Sequence, residues 1–224
     1  MSKANQIPIW DVWTRLFHWS LTLAVALLFY SGLTGELFFD WHRLVGEFVL
    51  FLILFRLVWG LVGSSNVRLS RLFQSPVAAL QHLKQLVKGK SEQEREHNAA
   101  GAWAVLALLL LLGTQAITGL FIADEDEFVE GAFYAAVDSN LSDIMYRIHH
   151  LNAELLQVLV VLHIVMVLVY ASYAKRDLVR PMITGKLLWK AEKQPPLLHL
   201  QRWWVGALCL LVCLAVTGWL VGWY

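Results

Sequence analysis

Residues Arg147–Lys175 read RIHHLNAELLQVLVVLHIVMVLVYASYAK. Between Leu155 and Ala174 there is no charge, and Gln157 and His163 are the only strongly polar groups. A run this long and this apolar has the length of a membrane-spanning helix. It nevertheless carries three imidazoles, those of His149, His150 and His163. An ionisable group in hydrocarbon is costly and marks a functional site by default. His149 and His163 lie 14 residues apart. At about 100° per residue they return to one helix face, about 21 Å apart along the axis. His150 points roughly 140° away from His163. One helix thus offers two nitrogen ligands on a single face, at two heights in the bilayer.

The composition agrees with a membrane protein. Of 224 residues, 58% are hydrophobic and only 16% are charged, against about 25% charged in a soluble domain. Eleven tryptophans suit the aromatic belts at membrane interfaces. A net charge of +1 gives no case for a nucleic-acid partner. Cys209 and Cys213 sit in an apolar run and read as packed or lipid-facing thiols. No Cys-x-x-Cys-His occurs, so covalent haem attachment is not expected. Asp11 and Arg15 break the first apolar run, which therefore does not read as a signal peptide.

Five apolar segments stand out, at about 16–35, 44–63, 101–122, 148–173 and 203–223. Open-ended spans in lipid have to be helices, because their backbone groups need internal partners. The expected fold is an all-α integral membrane protein. Lys and Arg set an orientation. They crowd the N-terminus, the segment 64–100 and the segment 174–202, while the intervening loops hold little more than Arg43 and Arg147. The positive-inside rule then puts the N-terminus in the cytoplasm and the C-terminus outside. The loop 123–146 on the outer side is acidic.

With that orientation, two levels of histidine emerge. His42 and His149 fall near the outer side, and His18 and His163 near the inner side. A haem needs two axial ligands from different helices, and these depths supply two pairs. A proton relay or plain helix–helix hydrogen bonds are the competing uses of such imidazoles. The helix-face argument prefers His149 to His150, which is left to bond a carboxylate or a propionate. Arg56 follows His42 by 14 residues and either pairs with an inner propionate or snorkels to the interface. Arg15 has the same two readings. Gly32, Gly35, Gly46 and Gly113 would let a macrocycle approach a helix, or serve helix packing.

The connecting segments carry fewer signals. Ser75, Pro76 and the apolar positions Val77, Leu80, Leu83, Leu86 and Val87 predict an interfacial helix over about 76–89. His82 in it, and His199 before the last span, read as solvated. The third span lacks histidine and should pack rather than ligate. The last span should pack through Gly206, Ala207, Ala215 and Gly218.

Six stretches carry a family resemblance: WDVWTRLFHW, WHRLVGEFVLFLILFRLVWGLVG, REHNAAGAW, QAITGLF, IHHLNAELLQVLVVLH and DLVRPMITGK. They occur in order over about residues 9–187. In them the chain resembles the bacterial di-haem cytochrome b561 family, especially the b-type cytochrome subunit of nickel–iron hydrogenases. The resemblance implies a four-helix haem-binding bundle in residues 1–187. Residues 188–224 then form a cytoplasmic linker and an additional C-terminal transmembrane helix, a departure from the usual pattern. It implies two non-covalent b haems on His18, His42, His149 and His163. It also implies an inner-membrane protein that passes electrons between a periplasmic redox partner and the quinone pool.

On this reading the protein relays single electrons, and the partner is a c-type cytochrome or a hydrogenase-like enzyme. Quinone is expected at the inner interface, near the His97–Asn98 turn. The rival readings are a stand-alone quinone-linked oxidase, for example of superoxide, and a proton-coupled transporter. The sequence leaves a homo- or hetero-oligomeric state open.

Overall fold

The computed structural model describes residues 5–34, 39–88, 98–124, 129–189 and 198–223. Gly35, His97, the acidic residues 125–127 and the prolines at 195–196 lie outside the described residues. Seven α-helices occur in the rest: α1 Val12–Thr34, α2 Phe39–Val62, α3 Pro76–Val87, α4 Ala99–Gly119, α5 Ser139–Ser172, α6 Val179–Thr184 and α7 Trp203–Val221. Two short antiparallel pairs also occur among the described residues, β1 Asn5–Pro8 with β4 Lys186–Trp189 and β2 Ala123–Asp124 with β3 Val129–Glu130. The helices α1, α2, α4, α5 and α7 are long and apolar enough to cross a membrane. The chain is an all-α membrane protein, as its apolar segments predict.

One boundary differs from the hydropathy reading. α5 begins at Ser139, well before the apolar run. Asp138 Oδ1 accepts the Leu141 N–H at 2.8 Å, satisfying a helix-start donor that would otherwise be orphaned. Polar residues end the apolar segment there, but they do not end the helix. At 34 residues, α5 is longer than the roughly 20 that cross the hydrocarbon.

Several polar side chains are buried beside an apolar core, and many large apolar ones are exposed. Ser31, Glu47, Arg56, Thr118, Asn152 and Thr217 are buried, whereas Leu23, Leu110, Val158 and Trp219 are exposed. Apolar side chains outside and polar ones inside are what lipid requires.

The chain folds into two compact units. The first comprises Met1–Leu16, Leu57–Ala107 and Val160–Ala207. In it, the DLVRPMITGK segment clamps the N-terminus. Asp177 Oδ1 accepts the Val179 and Arg180 N–H groups at 3.0 and 2.9 Å and starts α6. Gly185, at φ 76, ends α6 in a left-handed conformation that glycine adopts without strain. Its carbonyl accepts from the Ile9 N–H at 2.8 Å, and β1 pairs with β4 just beyond. Asp11 Oδ1 caps α1 through the Thr14 N–H at 2.8 Å, and the buried Trp59 indole donates to Thr14 Oγ1. The start of α7 belongs to the same unit. Trp13 Nε1 donates to the Trp203 carbonyl at 2.8 Å, and Gly206 lies against the Trp13 indole.

The second unit comprises Phe17–Arg56, Leu108–Leu159 and Leu208–Tyr224. Here Trp223 Nε1 donates to Glu47 Oε2 at 2.6 Å, and Arg43 is 3.4 Å from the other carboxylate oxygen. A buried carboxylate in α2 is thereby bonded to a residue just past the end of α7. The expected packing by Gly206 is present, and tryptophans hold both ends of α7.

A Cβ at Gly206 would run into the Trp13 ring. Gly206→Leu is expected to destabilise the protein by about 1–3 kcal/mol through overpacking. Thermal unfolding in detergent checks this, and an unchanged midpoint refutes it.

Candidate metal centre

The second unit brings His42 and His149 together, each on a seat supplied by a neighbouring helix. Near the end of α1 stand Ser31 and Gly32. Ser31 Oγ is 2.8 Å from His42 Nδ1 and donates to the Leu28 carbonyl at 3.1 Å. A hydroxyl has one proton. With that proton on Leu28, Ser31 Oγ is the acceptor and His42 Nδ1 carries the hydrogen. The lone pair of the neutral ring is then on Nε2, as a metal ligand requires. A Cβ at Gly32 would lie 3.5 Å from His42 Cε1, so the glycine lets the ring come close to α1.

His149 is seated in the same way, on α4. Thr118 Oγ1 is 3.0 Å from His149 Nδ1 and donates to the Thr114 carbonyl at 2.8 Å. With its proton on a carbonyl of its own helix, the hydroxyl would again accept from Nδ1–H and leave the lone pair on Nε2. A Cβ at Gly119 would lie 3.3 Å from His149 Cε1, a tight approach. One turn along α5, the buried Asn152 donates to Gln115 Oε1 at 2.6 Å and to the Leu111 carbonyl at 2.9 Å. These bonds hold α5 against α4 beside His149.

The two rings lie 6.4 Å apart between centroids, with 62° between their planes. A metal–imidazole bond is about 2 Å, and a ring nitrogen lies about 1 Å from its centroid. Two imidazoles on opposite sides of one metal therefore have centroids about 6 Å apart. The observed spacing fits that geometry. Among the described residues, no group of three or more His, Cys, Asp or Glu side chains could hold a metal. A metal bound by protein alone takes three or four such ligands. A pair suits a metal whose remaining ligands come from a macrocycle. Gly46, half-buried one turn beyond His42, has nothing within 4 Å of an added Cβ, which leaves room for a flat ring.

The other candidates are distributed as follows. His150 is exposed and lies against Tyr146, with centroids 4.2 Å apart. His18, in the second unit, is half-buried and meets Trp19 edge-on at 5.1 Å. His163 is half-buried in the first unit. Arg56 is 5% exposed, so its guanidinium does not snorkel to a surface. Arg15 Nη1 donates to the Ile183 carbonyl at 2.7 Å and helps fix α6. Asn98 caps α4, its Oδ1 accepting the Gly101 N–H at 2.7 Å. His97 lies outside the described residues.

His82 overturns its sequence reading. It is buried, with Nε2 2.6 Å from the Tyr170 hydroxyl, and is not solvated. Val77, Leu80 and Val87 are exposed on the opposite side of α3. The apolar face looks outward, and the other face carries His82 and Leu86 inward. His199 is exposed as expected.

Sequence reading misses Ser31, Thr118 and Asn152. The available signal is a repeated dipeptide, Ser31–Gly32 and Thr118–Gly119, a hydroxyl followed by a residue without a side chain. The same dipeptide also occurs at Thr34–Gly35, Thr184–Gly185 and Thr217–Gly218, so by itself it does not single out a histidine seat.

A model of the family described as prokaryotic cytochrome b561 matches residues 9–185. The two ends of that match are joined by the Ile9–Gly185 hydrogen bond. Among curated proteins, no match is found.

Thr118→Val keeps the side-chain shape and removes the acceptor of His149 Nδ1–H. Loss of such a supporting bond is expected to weaken cofactor retention by about 10- to 100-fold. Thr118→Ser should retain it. Haem titration followed by the Soret band measures both, and equal affinity in all three proteins would refute the role of the hydroxyl.

Proposed function

Since the chain belongs to the prokaryotic cytochrome b561 family of membrane b-type cytochromes, we propose that it carries two b haems and links the quinone pool to a redox protein across the bacterial inner membrane. The observation that carries this reading is the His42–His149 pair, with each Nδ1 on a hydroxyl and the rings 6.4 Å apart.

When bound, haem b supplies reversible one-electron chemistry at its iron. The residues do the rest. His42 and His149 hold one haem from α2 and α5. By sequence spacing alone, His18 and His163 would serve the second, because 14 residues along α5 repeat the His149 position. Two imidazole ligands for each haem would favour electron transfer over oxygen binding. Ser31 and Thr118 fix the ligand tautomers and make the ligands more basic. The buried Arg56 offers a guanidinium to a propionate, a charge-assisted pair that suits its burial. His150, exposed beside His149, takes a similar contact at the other level.

The distribution of Lys and Arg orients the N-terminus to the cytoplasm and the C-terminus to the periplasm. Quinone then binds near Asn98 on the cytoplasmic side, with His97 adjoining. On the periplasmic side, the acidic segment 123–146 steers a basic partner such as a c-type cytochrome, or docks a hydrogenase-like enzyme.

A redox titration of the purified protein tests the assignment. Two haems per chain are expected. His42→Ala and His149→Ala should each lose the same haem, and His18→Ala and His163→Ala the other. A single haem in the unaltered protein, or loss that does not follow these pairs, refutes it.

A further inference from the structure

Tyr170 lies seven residues beyond His163 on α5. Seven residues make nearly two turns, so the side chains share a face, about 10 Å apart along the axis. The Tyr170 hydroxyl is 2.6 Å from His82 Nε2 on α3 and accepts from Asn98 Nδ2 at 3.0 Å. All three residues belong to the first unit. Tyr170 and His82 are each 6% exposed, and their rings stack with 23° between planes. Asn98 is only half-buried.

The proton order in this cluster follows from its geometry. Asn98 Oδ1 is committed to the Gly101 N–H at 2.7 Å, so its amide cannot turn over. Nδ2 is therefore the group that faces Tyr170. The hydrogen between Tyr170 and His82 sits on Tyr170 Oη and points at His82 Nε2 in the tautomer that carries the imidazole proton on Nδ1. In that tautomer the chain of donors runs from Asn98 through Tyr170 to His82. It begins at a half-exposed residue and ends on a buried imidazole that can take up a proton. Fixing α3 to α5 does not need this arrangement, because buried polar groups cost free energy unless bonded and an apolar pair would pack as well.

We propose that Tyr170 and His82 form the proton relay of a quinol site whose head group binds at Asn98. The proposal rests on the quinone reading and adds the proton path to it. Oxidation of one quinol removes two electrons and two protons. Its two electrons would be taken up one at a time by two ferric haem equivalents, the oxidant that the family's b-type haem would supply. One quinol O–H breaks as its proton moves to Tyr170 Oη, while the phenol's proton moves to His82 Nε2. The second proton leaves to water at the half-exposed Asn98 end. The products are quinone, two ferrous equivalents, an imidazolium at His82 and a proton in water. Run backwards, the imidazolium returns its proton to a quinone being reduced. Tyr170 touches the substrate, and His82 acts through Tyr170.

The test uses the haem-loaded protein in detergent and two probes, a short-chain ubiquinol and a short-chain menaquinol. Reduction is followed at the Soret band, with dithionite reduction as the control for intact haem. Tyr170→Phe and His82→Ala should each slow quinol-driven reduction by about 100-fold, with haem content and the dithionite-reduced spectrum unchanged. Added imidazole should restore His82→Ala but not Tyr170→Phe, which a merely structural role would not produce. Independently of turnover, infrared difference spectra should show the Tyr170 C–O stretch shifting when quinol binds the unaltered protein. Failure of either quinol to reduce the unaltered protein would overturn the quinone reading and the relay with it. Normal quinol reduction in a haem-intact Tyr170→Phe protein would overturn the relay alone. So would a rate for the unaltered protein that is the same in light and heavy water.

Discussion

The structure depends on holding an imidazole in hydrocarbon with its lone pair aimed in one direction. In water the ring would turn and exchange protons freely. In lipid its N–H must find an acceptor, because an unbonded polar group there costs several kcal/mol. Ser31 and Thr118 provide that acceptor, and their own protons go to carbonyls on their own helices. The requirement spreads to the surroundings. The residue after each hydroxyl has to be small enough for the ring to reach it, and Gly32 and Gly119 are. The helix bearing the ring has to stay in register with the helix bearing the hydroxyl, and Asn152 holds α5 to α4 within one turn of His149. Polar groups therefore turn inward and apolar ones outward.

Electroneutrality is handled by similarly local means. Glu47 is 3% exposed in a membrane helix, where a lone carboxylate would be untenable. It is bonded to the indole of Trp223 and paired with Arg43. The last helix, which lies beyond the family match, is thus engaged with the α2 carboxylate. Its other end is tied to Trp13. The matched region is itself closed by α6, whose αL glycine returns a carbonyl to Ile9.

Much of this can be read from the sequence, because it rests on long apolar runs and fixed helical angles. The five spans follow from hydropathy, and the shared face of His149 and His163 is what helical periodicity leads one to expect. Bonds across helices cannot be read that way. Serine and threonine are common in spanning helices, and nothing adjacent to Thr118 in sequence announces a histidine 31 residues away. His82 misleads because a histidine on an amphipathic helix with lysines suggests water. Its partner Tyr170 is 88 residues distant. The start of α5 is hidden for another reason. Hydropathy follows solvation and the helix follows backbone bonding, and at Ser139–Arg147 the two diverge.

Because each hydroxyl proton is consumed within its own helix, the polarity of the Ser31 and Thr118 seats is written into α1 and α4 one at a time. It needs only the helical backbone of each segment and no contact between two. A histidine helix packed against such a seat would find an acceptor for Nδ1–H already supplied. Apoprotein assembly and cofactor loading can then follow one another in time, with the first leaving the nitrogens ready for the second.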